Sequence, residues 1–182
     1  MTDTSSILTP QEHMVDESIQ FKRLSAHAMI PARATDFSAG FDLYAAEDVT
    51  VIGGCGTFIV STDIAVQLPQ GTYGQVEIRS GLAAREHLYT TAGVIDMDYT
   101  GPIKVLVACS KTLTCSTIEH TSANISYTVN QYTPLPHRYT IKKGERFAQL
   151  IIKKVSYAPG VEVEEFTRAH SGHAGFGSTG KT

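Results

Sequence analysis

Short runs of β-favouring residues, separated by turn-forming residues, recur from residue 19 onward and restrict the fold of this chain most strongly. Val, Ile, Thr, Tyr and Phe recur within the runs, as strand faces prefer, and Gly, Pro, Asp and Ser punctuate them. The runs are IQFKRL, FDLYAA, VTVI, GTFIVST, IAVQLP, YGQVEIR, GVIDMDY, IKVLVAC, RYTI, FAQLIIKKVSY and VEVEEF. Many short strands at this spacing predict an all-β sandwich or barrel-like fold.

One stretch has a different composition from the runs around it. SGLAAREHL, from Ser80 to Leu88, brings together Ala, Leu, Arg and Glu, which favour a helix. Ser80 is placed to cap the N-terminus of that helix, and Gly81 follows just inside it. The sequence therefore predicts one short helix in an otherwise β-rich chain.

Size and charge limit the classes of protein that this chain can belong to. Its 182 residues are 42% hydrophobic, which suits one compact domain with its own core. The net charge of -3 includes no basic excess for coating a nucleic acid and no acidic tail. No apolar run approaches the ~20 residues that span a bilayer. We therefore expect neither a nucleic acid nor a membrane as a partner.

Cysteine usage and the N-terminal segment indicate a compartment. Cys55, Cys109 and Cys115 include no CxxC pair, and their odd number favours reducing conditions over a closed disulfide framework. Residues 1–18 are polar and predict a flexible arm, without the basic start and apolar core of a secretory signal. We expect an intracellular protein of the cytoplasm or nucleus, or of a host cell if the source is viral.

Residues 110–136 interrupt the pattern of short strands. The stretch SKTLTCSTIEHTSANISYTVNQYTPLP is rich in Ser and Thr and poor in charge. A structureless loop of this length is unusual in a compact domain. We expect an insertion that forms its own hairpin, with NISYTV as one arm, or a mobile surface excursion. Added segments of this kind favour a viral source, and a cellular source stays open.

The last eight residues, GFGSTGKT, match the phosphate-loop pattern G-x-x-x-x-G-K-[ST]. A true phosphate loop lies between a hydrophobic strand and a helix, whose N-terminus binds the phosphates. The preceding HSGHA is no such strand, and the sequence holds no helix after the match, so we expect no Walker A site. Phe176 beside Gly, Ser and Thr donors instead favours a lid over a nucleotide, with a solvated tail as the alternative.

Five stretches, taken together, resemble a known family. SAGFDLYAAED, EIRSGLAAREH, AGVIDMDYTG, IKKGERFAQLI and RAHSGHAGFGSTG begin at Ser38, Glu77, Ala92, Ile141 and Arg168. In this order they resemble the five motifs of the homotrimeric dUTPase family, which hydrolyses dUTP to dUMP and pyrophosphate. The resemblance runs from residue 19 to the end, except for 110–136. It implies a jelly-roll-like β-barrel, a homotrimer with sites across subunit interfaces, dUTP as substrate and Mg²⁺ as cofactor.

The resemblance also implies which residues bind the base and sugar. Asp96 orients and deprotonates the attacking water and meets the 3′-OH, while Gly93 and Val94 present backbone groups to uracil. Tyr99 packs on the deoxyribose and leaves no space for a 2′-OH. If IDMDY is a strand, Asp96 and Asp98 share a face. The alternatives are a surface turn with two solvated aspartates and a half-buried tyrosine.

A second group of residues is implied at the phosphates. Arg79, Ser80 and Gly81 lie at the predicted helix N-terminus, where N–H groups and a guanidinium attract anions. The alternative is a capped helix with Arg79 in an ion pair. Asp42 is implied to hold Mg²⁺ through water. Gln149, a buried amide that needs partners, is implied to contact the phosphates or the catalytic water.

The C-terminal motif departs from the family pattern in its spacing. The resemblance implies that Arg168 reaches the γ-phosphate, although a longer spacer follows it than the family uses. The tail is implied to bind substrate through an aromatic ring on uracil and donors on the phosphates, from Phe176, Gly177, Ser178 and Thr179. Lys104 is an outlying candidate for a substrate contact.

Two histidines in the tail and two rival functions complete the expectations. His170 and His173 form an HxxH pair, for which we expect partial protonation near the phosphates, with a metal site as the alternative. A dCTP deaminase of the same fold needs a glutamate acid/base, for which Glu86 is the candidate. A non-catalytic regulatory module is the other rival, with the insertion at 110–136 serving a partner.

Overall fold

The structure is a computed structural model that describes residues 18–113, 116–122, 125–131 and 135–166. In this part of the chain it contains fourteen strands and one helix. The strands are β1 Gln20–Arg23, β2 Gly40–Tyr44, β3 Val49–Ile52, β4 Phe58–Gln67, β5 Thr72–Ile78, β6 Leu88–Ala92, β7 Val94–Ile95, β8 Pro102–Cys109, β9 Thr112–Leu113, β10 Ser116–Ser122, β11 Ile125–Gln131, β12 Leu135–Pro136, β13 Arg138–Ile141 and β14 Arg146–Lys154, and the helix is α1 Ser80–Glu86. No helix among the described residues is long and apolar enough to cross a membrane.

Two antiparallel four-stranded sheets form the body of the protein. The first has the strand order β1-β4-β8-β6, and the second has the order β2-β14-β5-β7. The pairs β13-β3, β12-β9 and β10-β11 complete the described strands. The predicted all-β class with one short helix is confirmed, although the described residues close no barrel.

The core follows from the alternation of apolar and polar residues along the strands. On β8, Ile103, Val105 and Val107 are buried, and Lys104 between them is exposed. Phe147 and Leu150 of β14, in the second sheet, are fully buried in the same core cluster. Because side chains on a strand alternate between faces, each sheet buries one face against the other.

One strand replaces two predicted ones. The runs GTFIVST and IAVQLP form the single ten-residue β4, so the expected break between them is wrong. A register shift between Ser61 and Ala65 absorbs the polar residues of the break. Asp63 takes a left-handed φ of 54°, and its carbonyl accepts a hydrogen bond from Leu24 N–H at 2.9 Å. A β-bulge of this kind keeps the strand paired on both sides of the irregularity.

The predicted strand GVIDMDY is largely wrong. Only Val94–Ile95 pair as β7, and the chain then turns, with Tyr99 N–H donating to the Asp96 carbonyl at 3.1 Å. This is the hydrogen bond that closes a β-turn. Asp96 and Asp98 therefore lie in a turn, and the two-residue alternation that would place them on one face does not apply.

Two further expectations about strands fail at the edges of predicted elements. Residues 88–92, which the sequence assigned in part to the helix, form β6. VEVEEF at 161–166 forms no strand within the chain. A strand requires a partner for its backbone groups, and this segment has no partner strand among the described residues.

The predicted helix is present but shorter and capped differently. It runs from Ser80 to Glu86, with Arg79 as the N-cap residue and no side-chain capping bond, so the expected Ser80 cap is wrong. His87 ends the helix in a left-handed conformation with φ of 55°. The next residue, Leu88, is buried and begins β6 of the first sheet.

The segment 110–136 contains a hairpin formed by β10 and β11, and β11 includes most of NISYTV. Its base is attached to the C-terminal end of α1. Lys111 Nζ donates to the Arg85 carbonyl at 3.3 Å, Ser110 N–H donates to the His87 carbonyl at 3.1 Å, and His137 pairs with Glu86 at 3.0 Å. The base of the hairpin therefore contacts α1, the helix that follows Arg79.

Candidate active site

A cleft of about 390 Å³ lies beside the turn that follows β7, and we call it the Asp96 cleft. Four residues proposed from the sequence line it: Val94, Asp96, Tyr99 and Lys104. Asp96 and Lys104 are exposed, so a carboxylate and an ammonium group face solvent there. The cleft combines apolar walls with charged groups that can meet a polar ligand.

Gly93 allows the backbones of two strands to approach closely at this cleft. Its carbonyl accepts a hydrogen bond from Val76 N–H at 2.7 Å. A Cβ atom at position 93 would lie 2.3 Å from the Val76 carbonyl oxygen, which is closer than any real contact. Only glycine therefore fits here, and the adjoining backbone is held rigidly against β5.

The ring of Tyr99 is fixed by its hydroxyl group. The hydroxyl donates to the Pro102 carbonyl at 2.9 Å. A Cβ atom at Gly101 would lie 2.7 Å from this hydroxyl oxygen, so the glycine provides the space that the ring occupies. Tyr99 remains nearly half exposed, with its ring available to a ligand in the cleft.

A second depression lies at the N-terminal end of α1, and we call it the arginine cleft. Its larger part, of about 480 Å³, is lined by Arg79, Ser80, Gly81, Arg85 and Arg146 among others. A smaller part of about 160 Å³ shares Arg79 and Ser80 with it, and the polar residues that it adds are Ser38, Asp42 and Gln149. The first N–H groups of a helix have no partner within the helix, so they add donors to the arginine side chains.

Asp42 is a buried carboxylate in the arginine cleft with two arginine partners. It is 7% exposed, and its oxygens Oδ1 and Oδ2 each pair with a guanidinium at 3.2 Å, from Arg79 and Arg146 respectively. Arg79 Nη1 also donates to the Arg146 carbonyl at 3.2 Å. The ion pair weighed for Arg79 is therefore present, and it joins two of the predicted residues.

Gln149 lies next to Asp42 across the pairing of β14 with β2. Its amide oxygen would be 2.9 Å from a Cβ atom at Gly40, so the absence of a side chain there lets the amide lie in the cleft. The structure thus brings Gln149 together with Asp42, Arg79 and Ser80, as the resemblance implies.

The acidic residue at the rim of the arginine cleft has its own partners. Glu145 accepts hydrogen bonds from the Tyr139 hydroxyl at 2.6 Å and from Lys142 N–H at 2.9 Å. Burial, together with the neighbouring Glu145 carboxylate, raises the pKa of Tyr139 to about 12. These donors are neutral, so Glu145 keeps its charge, but the three arginines of the cleft still outnumber its two carboxylates, and the net positive charge suits an anionic ligand.

The arginine cleft lies at the C-terminal end of β5, and the Asp96 cleft lies beside the middle of this strand, where Val94 stands opposite Gln75. Asp42, Gln149 and Glu77 stand side by side across the sheet, whereas Ile95 stands opposite Gly74. Ile95 and Asp42 are three residues apart in register and three strands apart in the sheet. At about 3.3 Å per residue and about 4.8 Å per strand, this separates them by about 10 Å along the strands and about 14 Å across the strands. The clefts share no lining residue. Within one chain the two clefts are therefore separate.

Several proposed residues lie elsewhere. Glu86, the candidate for a deaminase, binds His137 at the far end of α1 and lines neither cleft. The tail candidates lie outside the described residues, and these are Arg168, His170, His173, Phe176, Gly177, Ser178 and Thr179. The N-terminal arm, apart from residue 18, also lies outside them.

Sequence reasoning missed Arg146. The residue belongs to the quoted stretch IKKGERFAQLI, three positions before Gln149, where a cation precedes an otherwise apolar strand. That signal was available, but only the structure shows that its guanidinium reaches Asp42.

Comparison with known proteins decides the family. A family model described as dUTPase matches residues 26–122 and 129–180. The chain belongs to the dUTPase family. It is 36% identical to the deoxyuridine 5'-triphosphate nucleotidohydrolase of Debaryomyces hansenii, over 100% of this chain and 99% of that protein. It is 37% identical to the enzyme of that name from Saccharomyces cerevisiae, over 91% and 96%.

Solved dUTPase structures share the fold. The dUTPase of Staphylococcus bacteriophage 80alpha with dUPNHPP matches with a TM-score of 0.70 and 29% identity, over 90% of this chain and 99% of that one. The dUTPase of phage phi11, described for its species-specific insert, matches with a TM-score of 0.66 and 26% identity, over 82% and 98%.

The family match covers more of the chain than the resemblance of the five motifs suggested. Only residues 123–128 separate the two matched segments, at the tip of the β10–β11 hairpin. The expected gap at 110–136 is therefore too long. Most of the hairpin belongs to the part of this dUTPase that the family model covers.

Proposed function

We propose that this dUTPase hydrolyses dUTP to dUMP and pyrophosphate with the help of Mg²⁺. One observation carries the proposal: the chain has two clefts with complementary chemistry. The Asp96 cleft offers a carboxylate beside an aromatic ring, and the arginine cleft offers cations for a triphosphate. The names of the relatives support the same substrate.

The Asp96 cleft takes the base, the sugar and the attacking water in this proposal. The Asp96 carboxylate accepts a proton from the water as it attacks the α-phosphorus. The fixed ring of Tyr99 packs on the deoxyribose and excludes a 2′-OH. The backbone at Gly93 and Val94 reads uracil, and Lys104 is an outlying contact.

The arginine cleft takes the phosphates. Arg79, with the N–H groups of Ser80 and Gly81, stabilises the charge that develops on the phosphate oxygens, and Gln149 adds an amide donor. The helix N–H groups and the Gln149 amide are held by the fold before substrate arrives, which limits the reorganisation of the cleft during the reaction. Catalysis is then mainly positioning and charge neutralisation.

The residues of the arginine cleft fit a Mg²⁺ ion that arrives with the phosphates. Among the described residues, no group of three or more His, Cys, Asp or Glu residues is arranged to hold a metal. Both oxygens of Asp42 already accept from guanidinium groups, which leaves a contact through water. Mg²⁺ prefers to keep several waters and to bind substrate phosphates, where it neutralises charge.

A complete site in this proposal combines clefts from different copies of the chain in a homotrimer. The separation of the clefts in one chain supports this arrangement. So does the exposure of apolar residues along 161–166, where Val161 is 77% and Phe166 is 78% exposed. The tail from Arg168 then closes over a neighbour's site, with Phe176 on uracil and Gly177, Ser178 and Thr179 at the phosphates.

The proposed reaction has a clear role in nucleotide metabolism. It lowers dUTP, which limits uracil incorporation into DNA, and it supplies dUMP for thymidylate synthesis. We place the reaction inside the cell, in the cytoplasm or nucleus, or in the host cell if the source is viral.

A pyrophosphate-release assay tests the proposal. The purified chain is offered dUTP, dTTP, dCTP and UTP, each with and without Mg²⁺. We expect turnover of dUTP, weaker turnover without Mg²⁺, and little with the other three nucleotides. Ammonia release from dCTP would favour the deaminase instead, and no turnover of any nucleotide would favour a binding module.

A further inference from the structure

The two arginines that bind Asp42 come from different elements of the fold. Arg79 directly precedes α1, and Arg146 begins β14. Each guanidinium takes one carboxylate oxygen at 3.2 Å, and the side chains of Arg79 and Arg146 are 36% and 48% exposed. Both cations therefore reach the buried carboxylate while part of each remains in the arginine cleft.

A β-bulge aims Arg146 at Asp42. In the pairing with β2, Arg146 stands opposite Tyr44 and Ala148 stands opposite Leu43, so Phe147 is an additional residue. Phe147 and Ala148 are consecutive and both fully buried, which agrees with the register shift at this point. Bulges re-aim side chains next to active sites, and here the bulge turns Arg146 towards the cleft.

The Arg79 guanidinium has two anionic partners when substrate is bound, the phosphates and Asp42. In the proposed function it binds phosphate, but in the structure it pairs with Asp42. A buried carboxylate that loses its partner is strongly destabilised. Arg146 is the remaining cation within reach of Asp42 among the described residues.

We propose that Arg146 is a positioning residue that holds Asp42 in place when Arg79 turns to the triphosphate. This inference rests on the proposed function and adds to it a residue that acts through Asp42. Arginine suits the task because its planar guanidinium matches a carboxylate, whereas the ammonium of lysine is a compact point charge. Arg146→Lys should therefore restore only part of the function.

The test is a double-mutant cycle with a matched control. Arg146→Gln, Asp42→Asn and the double variant are compared with Arg85→Gln, which removes the same charge from the arginine cleft without a contact to Asp42. The readouts are kcat and KM for dUTP, and calorimetric Kd values for the imido analogue of dUTP and for dUMP.

We expect Arg146→Gln to weaken binding of the triphosphate analogue by about tenfold or more, because Asp42 and Arg79 lose their arrangement. Binding of dUMP should change by less than about twofold, since fewer phosphates reach the cleft. In the Asp42→Asn background, Arg146→Gln should add almost nothing. Arg85→Gln should add its full effect in the same background.

Additive effects of Arg146→Gln and Asp42→Asn would overturn the inference, as would wild-type analogue binding by Arg146→Gln. Thermal melting identifies a variant that fails to fold, in which case Arg146→Lys replaces Arg146→Gln in the cycle. If the wild-type chain does not hydrolyse dUTP, the proposed function fails, and the analogue-binding cycle still decides the role of Arg146.

Discussion

At the scale of single residues, two glycines determine the shape of the Asp96 cleft. Gly93 lets the backbone lie against Val76, and Gly101 leaves room for the hydroxyl end of Tyr99. In both cases, glycine has no side chain, and the space this leaves lets a nearby group take its position. Glycine substitutions therefore test the site without removing any of its chemical groups.

Gly101→Ala should displace the Tyr99 ring, because the new methyl group would lie 2.7 Å from the hydroxyl oxygen. We expect kcat/KM for dUTP to fall by about tenfold, and discrimination against UTP to weaken, since small displacements in a site have large effects. Steady-state kinetics with both nucleotides measure the change. Gly160→Ala is the control, because no atom lies within 4 Å of a Cβ at that position. Unchanged discrimination in Gly101→Ala would contradict the steric role of Tyr99.

Asp96→Asn should separate catalysis from binding. The amide has the same shape as the carboxylate but does not accept the proton of the attacking water, so kcat should fall by about 10² to 10⁴. Calorimetry should show that the imido analogue still binds within a few-fold of the wild type. A kcat close to the wild-type value would exclude Asp96 as the base.

At the scale of elements, the turn that precedes β14 sets the position of the arginine cleft. Glu145 anchors this turn through the Tyr139 hydroxyl and Lys142 N–H, and its carbonyl accepts from Ala45 N–H at 3.1 Å. Arg146 follows immediately. The start of β14 is therefore fixed by side-chain contacts as well as by sheet pairing.

Tyr139→Phe should destabilise the fold in a pH-dependent way. The hydroxyl bonds Glu145 only while it is protonated, and the pKa of Tyr139 in the folded protein is about 12, above its ordinary value. The bond therefore contributes fully below about pH 10 and is lost as the pH rises towards the folded pKa. We expect a loss of about 1 kcal/mol at pH 7. Urea denaturation should show a smaller difference at pH 11 than at pH 8, and an equal difference would contradict the assignment.

The β10–β11 hairpin is joined to the same region through α1. Its base contacts Arg85, Glu86 and His87, at the end of the helix opposite Arg79. A helix of seven residues is only about 10 Å long, so the base of the hairpin and the arginine cleft lie close together.

At the scale of the whole molecule, the first sheet exposes a row of apolar residues. Ile59, 58% exposed, stands opposite Leu106, which in turn stands opposite Ala92, so an apolar row crosses the outer face of the first sheet. Apolar rows of this kind on a soluble surface mark interaction sites. We propose that a second copy of the chain covers this row in the homotrimer.

Mixing two inactive variants tests the composite site. Asp96→Asn retains the arginine cleft, and Arg79→Gln retains the Asp96 cleft. If each site takes one cleft from each of two chains, equal mixing by denaturation and refolding should restore about a quarter of wild-type activity. Each variant refolded alone provides the baseline. No recovery above that baseline would place both clefts of a site in one chain.

Truncation after Ala174 should leave a folded trimer with little dUTPase activity. The removed residues include Phe176, Gly177, Ser178 and Thr179, which the proposal assigns to uracil and the phosphates. Light scattering measures the oligomer, and pyrophosphate release measures the activity. Full activity in the truncated chain would mean that the tail does not take part.

Local patterns in the sequence determined the class of fold and the family. Alternating apolar residues predicted the strands of the two sheets, because side chains on a strand face opposite sides in turn. The short helix and the residue types of both clefts were also visible, since each motif is contiguous. Asp42, Arg79, Asp96 and Tyr99 were proposed from such motifs.

Only the tertiary structure decided how these motifs meet. It merged two runs into β4 through a bulge at Asp63, and it turned the chain at Asp96, because pairing with neighbouring strands outweighs local preference. It brought Arg146 to Asp42 across 104 positions of sequence, which no local pattern encodes. It also placed Asp96 and Asp42 in separate clefts, since sheet register sets distances between residues that are remote in the chain.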